Sequence, residues 1–191
     1  MRVIDGKVEG RELTKKFLEE VMLIPNGEKV NMCIQCGTCS ASCPTGYAMD
    51  FTPRQIVAAL RANIIHEVLV SNSVWLCASC YACTVRCPAG IPWTDIMYQL
   101  KRLGEDEGII PRVKKGHELA TAFNSIIDKY GLSAEFLLML KFYFRTGIFK
   151  ALGQLGFATK MLTKGRLDLG AHKIKGIKGL QKMMAVMEER K

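Results

Sequence analysis

An all-α fold organised around two cysteine loops is what this sequence predicts, and three observations predict it. Apolar residues recur three and four positions apart in most segments, while the alternation expected of a half-buried strand is scarce throughout. The pattern C-x2-C-x2-C-x3-C-P occurs twice, as CIQCGTCSASCP from Cys33 and as CASCYACTVRCP from Cys77. Apolar residues make up 49% of the 191-residue chain, enough for a helical core and too many for a disordered one.

The elements follow in order. Residues 10–22 place Leu13, Phe17 and Val21 four apart with charged residues between them, an amphipathic helix that Pro25-Asn26-Gly27 ends. The first cysteine loop comes next. After it, Thr52 is a helix N-cap, Pro53 suits the first helical position, and Gln55 completes a capping box; Ile56, Val57 and Leu60 form the buried face. Ile64 to Val70 predicts a second short helix, turned by Ser71-Asn72-Ser73. Beyond the second cysteine loop, Ile96, Leu100 and Leu103 mark a further helix ending near Gly104. Shifting the first loop by 44 positions, the distance from Cys33 to Cys77, aligns every cysteine, Pro44 with Pro88 and Gly46 with Gly90. The chain therefore carries an internal repeat, and a pseudo-twofold arrangement is expected.

Residues 112–191 read differently. Ala120, Phe123, Ile127 and Tyr130 predict one helical face; Leu137, Leu140, Phe144, Ile148, Leu152 and Leu155 predict a longer stripe that Gly147 and Gly153 interrupt. Met183, Met184 and Met187 belong to a final short helix and are expected to pack. Charge divides at the same place. Residues 1–111 hold 11 Lys and Arg against 12 Asp and Glu, whereas residues 112–191 hold 16 against 6. A basic pole suits an acidic protein surface, anionic lipid or nucleic acid. No nucleic-acid-binding signature accompanies it, so a protein partner is expected. The domain division expected is 1–28 for an N-terminal helix and linker, 29–111 for the cysteine-bearing domain and 112–191 for a basic helical docking region.

All eight cysteines, Cys33, Cys36, Cys39, Cys43, Cys77, Cys80, Cys83 and Cys87, lie in the two loops. The N-terminus lacks the apolar stretch of a secretory signal, and the apolar runs fall short of the roughly 20 residues of a membrane span. The chain reads as cytoplasmic, where clustered cysteines mean metal or redox chemistry rather than disulfides. Structural zinc sites draw on separated pairs of ligands. Here a third cysteine follows too soon and the whole set is duplicated, which points instead to two [4Fe–4S] clusters. In two-cluster ferredoxins with this run the fourth cysteine ligates the other cluster. The expected sets are Cys33, Cys36, Cys39 and Cys87 for the first cluster, and Cys77, Cys80, Cys83 and Cys43 for the second. With every iron ligated by protein, electron transfer rather than substrate chemistry is expected, and no residue is singled out as catalytic. Trp75, Tyr81, Tyr47 and Trp93 flank the loops and are expected to pack; Arg86 is read as a surface charge. His66, His117 and His172 are scattered and read as structural or solvated.

Paired motifs of this kind, separated by helices, resemble the α-helical ferredoxin domain also found in the iron–sulfur subunits of succinate dehydrogenase and fumarate reductase. The C-x4-C-x2-C signature of those subunits' [2Fe–2S] domain does not occur in this chain. The size, the N-terminal helix, the WLCASCYACTVRCP run and the basic C-terminal part more closely resemble the small iron–sulfur subunit, lettered C, of heterodisulfide reductase from methane-producing archaea. That resemblance implies a relay of electrons between a flavin- and cluster-bearing subunit and a separate catalytic subunit. It further implies reduction of the coenzyme M–coenzyme B heterodisulfide in methanogenesis, and association with a hydrogenase or formate dehydrogenase in flavin-based electron bifurcation. The Cys-Cys-Gly motifs of the catalytic subunit do not occur here. The alternative is the iron–sulfur subunit of a membrane-associated dehydrogenase or quinone oxidoreductase.

Overall fold

The computed structural model describes residues 6–147, 155–165, 170 and 172–188. Among the described residues regular structure is entirely helical, as expected. Two compact units divide the chain, Met1–Lys114 and Lys115–Lys191; the boundary expected from composition falls three residues earlier.

In the first unit, helix α1 (Gly6–Met22) begins four residues before the amphipathic pattern does. Leu13, Phe17 and Val21 are all buried, at the spacing that defined the helix. Inside it a close approach requires glycine: a Cβ on Gly10 would sit 2.5 Å from the carbonyl oxygen of Asn63. A 3₁₀ turn (Gly27–Met32) leads into the first cysteine loop, which contains the one-turn helix α2 (Thr38–Ala41). Helix α3 (Pro53–Arg61) starts on the expected box, with the Thr52 N–H donating to Gln55 Oε1 at 2.8 Å. Helix α4 (Ile65–Val70) follows, and the second loop contains the one-turn α5 (Ala82–Val85). Helix α6 (Trp93–Asp106) runs two residues beyond its expected end, because Gly104 is buried inside it rather than capping it.

Helices α1, α4 and α6 pack on one another and α3 on α4, while α2 lies against α5. The core formed this way includes Phe17, Ile56, Ile65, Ile91, Ile96, Leu100 and Leu103, each fully buried. Cys39 is part of it, and Cys33, Cys77, Cys83 and Cys87 pack against its edge. The cysteine loops are thus pressed onto the core, not hung from it.

The second unit departs further from expectation. In α7 (Lys114–Tyr130) the buried residues are Ala122 and Ile126, while Phe123 is 41% exposed. The inward face is rotated by one position from the one read from the sequence. Helix α8 (Glu135–Thr146) ends at Gly147, where φ is 121°. No α8 residue is buried, and Leu140 and Phe144 of the expected stripe are exposed. Ile148, Leu152 and Gly153 lie outside the described residues, as does the side chain of Leu155. Among the described residues two further helices follow, α9 (Leu155–Thr163) and α10 (Ile177–Glu188). Met183 and Met187 of α10 are 61% and 73% exposed, so the packing expected of them is absent within this unit.

Candidate iron–sulfur centre

The two loops share one backbone. Gln35 and Ser79, 44 positions apart, both have positive φ (60° and 53°); so do Gly37 and Tyr81 (82° and 60°). These turns reverse the chain between successive cysteines, so that the sulfurs face one enclosed space. Only one of the four is glycine, so the other three accept a conformation that side chains rarely take. The hydrogen bonds repeat as well. In the first loop the N–H groups of Ser40, Ala41, Ser42, Cys43 and Gly46 donate to Gly37, Gly37, Thr38, Ser40 and Cys43. In the second, Thr84, Val85, Arg86, Cys87 and Gly90 donate to Tyr81, Tyr81, Ala82, Thr84 and Cys87. Every pair obeys the 44-residue offset.

Each loop is also tied to the helix that follows it. The hydroxyl of Ser40 accepts from the Arg54 N–H at 3.0 Å, and that of Thr84 from the Thr94 N–H at 3.0 Å. Both satisfy a donor in the first turn of a helix, α3 or α6, that has no partner within it. The hydroxyl directly after the third cysteine was the signal for this device in the sequence, and periodicity alone passes over it.

Two enclosed cavities result. One is lined by Cys33, Cys36, Cys39 and Cys87, with Pro88, Ile91 and Trp93 among its walls. The other is lined by Cys43, Cys77, Cys80 and Cys83, with Pro44, Met49 and Met97. The fourth cysteine of each loop therefore lines the cavity of the other loop's first three. Among the described residues no three Cys, His, Asp or Glu side chains stand close enough to share a single ion. Four sulfurs spread around an apolar chamber fit a cubane, which spaces its thiolates over four irons, better than they fit zinc.

Burial is graded equivalently. The second cysteine of each loop, Cys36 and Cys80, is exposed; Cys39 is buried and the others are intermediate. Burial pushes the Cys39 and Cys83 thiols up, and each third cysteine faces the protein interior. Cys36 is pulled down by the Thr38 hydroxyl, 3.4 Å from its sulfur. Other polar groups also reach sulfur: Gln35 Nε2 donates to Cys33 at 3.6 Å, and Thr45 and Thr94 hydroxyls stand 3.5 and 3.9 Å from Cys43 and Cys83. Thr94, 1% exposed, is a residue sequence reasoning missed.

The flanking aromatics separate into two kinds. Trp93 is buried as expected and Trp75 is partly buried beneath Lys101. Tyr47 is 92% and Tyr81 44% exposed, so the packing expected of them fails, since both sit on the outer turns of the loops. Arg86 is exposed, as expected.

A family model described as a 4Fe-4S dicluster domain matches residues 29–91. The chain is 32% identical over 126 residues to the iron-sulfur C subunit of the CoB–CoM heterodisulfide reductase of Methanopyrus kandleri, covering 62% of this chain and 64% of that one. It is 40% identical over 94 residues to the C subunit of the ferredoxin:CoB-CoM heterodisulfide reductase of Methanosarcina mazei, covering 49% and 58%. With the C2 subunit of the H(2)/formate:CoB-CoM heterodisulfide,ferredoxin reductase of Methanococcus maripaludis it shares 29% identity over 123 residues, 61% and 65% of the two chains. The chain spans a little under two thirds of the length of these curated relatives. Residues 29–91 match a 4Fe-4S dicluster domain, and the chain is similar to the iron–sulfur C subunits of heterodisulfide reductases.

Proposed function

We propose that this chain is the electron-relay subunit of a heterodisulfide reductase complex. In this reading one [4Fe–4S] cluster is held by Cys33, Cys36, Cys39 and Cys87, and the other by Cys77, Cys80, Cys83 and Cys43. The observation that carries it is the exchange of fourth cysteines between the two cavities. When bound, each cluster supplies reversible one-electron storage. The protein's own part is to fix four thiolates per cluster, to exclude water with Ile91, Trp93, Met49 and Met97, and to aim hydroxyl and amide donors at the sulfurs. Hydrogen bonds, burial and local charge are the means by which a protein sets such potentials.

The upstream partner is a flavin- and cluster-bearing subunit, and the downstream partner is the subunit that reduces the coenzyme M–coenzyme B disulfide. A hydrogenase or formate dehydrogenase feeds the larger assembly, with ferredoxin reduction coupled by bifurcation. This chain contributes no substrate site. The names of the relatives support the complex, and residues 112–191 supply the docking region. Among the described residues no helix is long and apolar enough to cross a membrane. Lys141 donates to Ser125 and Arg145 pairs with Glu118, which engages these cations in joining α8 to α7.

Anaerobic affinity purification of the native protein tests the reading. A co-purifying flavoprotein and a protein with Cys-Cys-Gly motifs, with activity towards the coenzyme M–coenzyme B disulfide, are the expected result. Capture of a quinone-reactive membrane anchor instead would overturn it.

A further inference from the structure

The two loops match in backbone and differ in charge. Positions 37 and 81 are equivalent, each with left-handed backbone and each opening a one-turn helix. Beside Gly37 stands Arg54: its Cδ and Nε lie 3.6 and 3.9 Å from where a Cβ on Gly37 would be, and its side chain lines the first cavity. At the equivalent position Tyr81 lines the second cavity, and none of that cavity's lining side chains is an Arg, Lys, Asp or Glu. The first cavity is therefore lined by a guanidinium and the second by no such charge.

Neighbouring charges extend the contrast. Arg61 donates to the carbonyl of Cys33 at 2.6 Å. Lys29 Nζ lies 3.5 Å from where a Cβ on Gly90 would be, three residues after Cys87. On the other side Asp50, next to the cavity-lining Met49, accepts from the Asn72 N–H. Near the second loop Lys101 is placed over the rings of Trp75 and Tyr98 at 5.9 and 5.6 Å, and the Tyr98 hydroxyl donates to Ser79. Arg86, within that loop, is exposed and directly precedes Cys87, which lines the first cavity.

Reducing a [4Fe–4S] core adds one negative charge. A cation nearby stabilises the reduced form and a carboxylate opposes it, the same logic that shifts a pKa. We infer that Lys29, Arg54 and Arg61 hold the cluster of the first cavity at a higher reduction potential than the cluster of the second, so that an electron shared between them rests on the first. One core is then oxidised as the other is reduced, and the electron count is unchanged. The inference rests on the two-cluster reading. It makes Arg54 a positioning residue for the electron, acting by charge without ligating iron. Because Arg54 is exposed, added salt screens part of its effect.

The experiment is a potentiometric EPR titration of the reconstituted full-length chain with dithionite as reductant. Wild type is compared with Arg54→Gln and, to assign the steps, Cys80→Ser. Iron and acid-labile sulfide are measured first; content for one cluster or none in wild type refutes the two-cluster reading itself. With both clusters present, two one-electron steps are expected, and Cys80→Ser should alter the lower. Arg54→Gln should lower the upper step, changing the electron's distribution by about tenfold, which is 59 mV for one electron. High salt should narrow the wild-type gap. A single shared step in wild type, or an Arg54→Gln variant that leaves the upper step in place, would overturn the ordering while leaving the two-cluster reading intact.

Discussion

At the scale of single residues, the exchange of Cys43 and Cys87 is the most informative feature. Each lies four residues after the third cysteine of its own loop and faces the cavity of the other. Cys43→Ser should therefore impair the cluster held mainly by Cys77, Cys80 and Cys83. EPR of the reduced protein reads this directly: the signal of the second-loop cluster should change or vanish while the first-loop signal persists. Loss confined to the first-loop cluster would disprove the crossed ligation. All eight of these cysteines could be named from spacing alone, because cubane ligation restricts spacing tightly. Positive φ at Gln35, Ser79 and Tyr81 could not, because none of these residue types announces a left-handed turn. Thr94 was hidden for another reason. Its contact with Cys83 depends on where α6 begins relative to a loop eleven residues before it, and no local pattern encodes that.

At the scale of elements, α1, α3, α4 and α6 were legible because burial on one face imposes a period on their apolar residues. The one-turn α2 and α5 are too short to show a period, and they are held by what surrounds them. Ser40 and Thr84 do much of that holding by satisfying α3 and α6 from outside. Loss of a cap of this kind costs about 1 kcal/mol. Ser40→Ala and Thr84→Val should each lower stability by about that amount in denaturant unfolding of the holo protein. Effects near zero for both would mean that water replaces the hydroxyls and that loop and helix are not mechanically joined. The rotated face of α7 has a different origin. With Phe123 and Ile127 on one side and Ala122 and Ile126 on the other, the helix is apolar over a wide arc. Small Ala122 permits the closer approach, so it and Ile126 are buried instead.

At the scale of the whole molecule, the first unit has its own core, while among the described residues of the second only Ala122, Ile126 and Ala134 are buried apolar side chains. The residues of the main core all lie between Leu13 and Ile109, within Met1–Lys114. A chain ending at Lys114 should accordingly retain the iron, sulfide and visible absorbance of the full-length protein and lose capture of its partner proteins. Loss of the clusters on truncation would show that the second unit is required for folding, not docking. The sequence marked this division by charge, since 16 of the 27 Lys and Arg residues lie beyond position 111. It did not predict the exposure of Leu140, Phe144, Met183 and Met187. Periodicity reports that a face is apolar but not whether the surface that covers it belongs to the same chain.

The exchanged cysteines have a mechanical consequence as well as a chemical one. Under the proposed ligation each cluster joins Cys39 to Cys87 or Cys43 to Cys77, closing a long loop of backbone as a cross-link does. These loops span 48 and 34 residues, and for either length the chain-entropy model gives about 4 kcal/mol of stabilisation from restricting the unfolded chain. Neither half of the repeat could hold a complete cluster by itself, so each half is the scaffold of the other's metal. Oxidative loss of one cluster would then slacken the frame around its neighbour. The neighbour would keep its four ligands on a less constrained chain, so a relay with one damaged cluster would become easier to unfold while still holding the other.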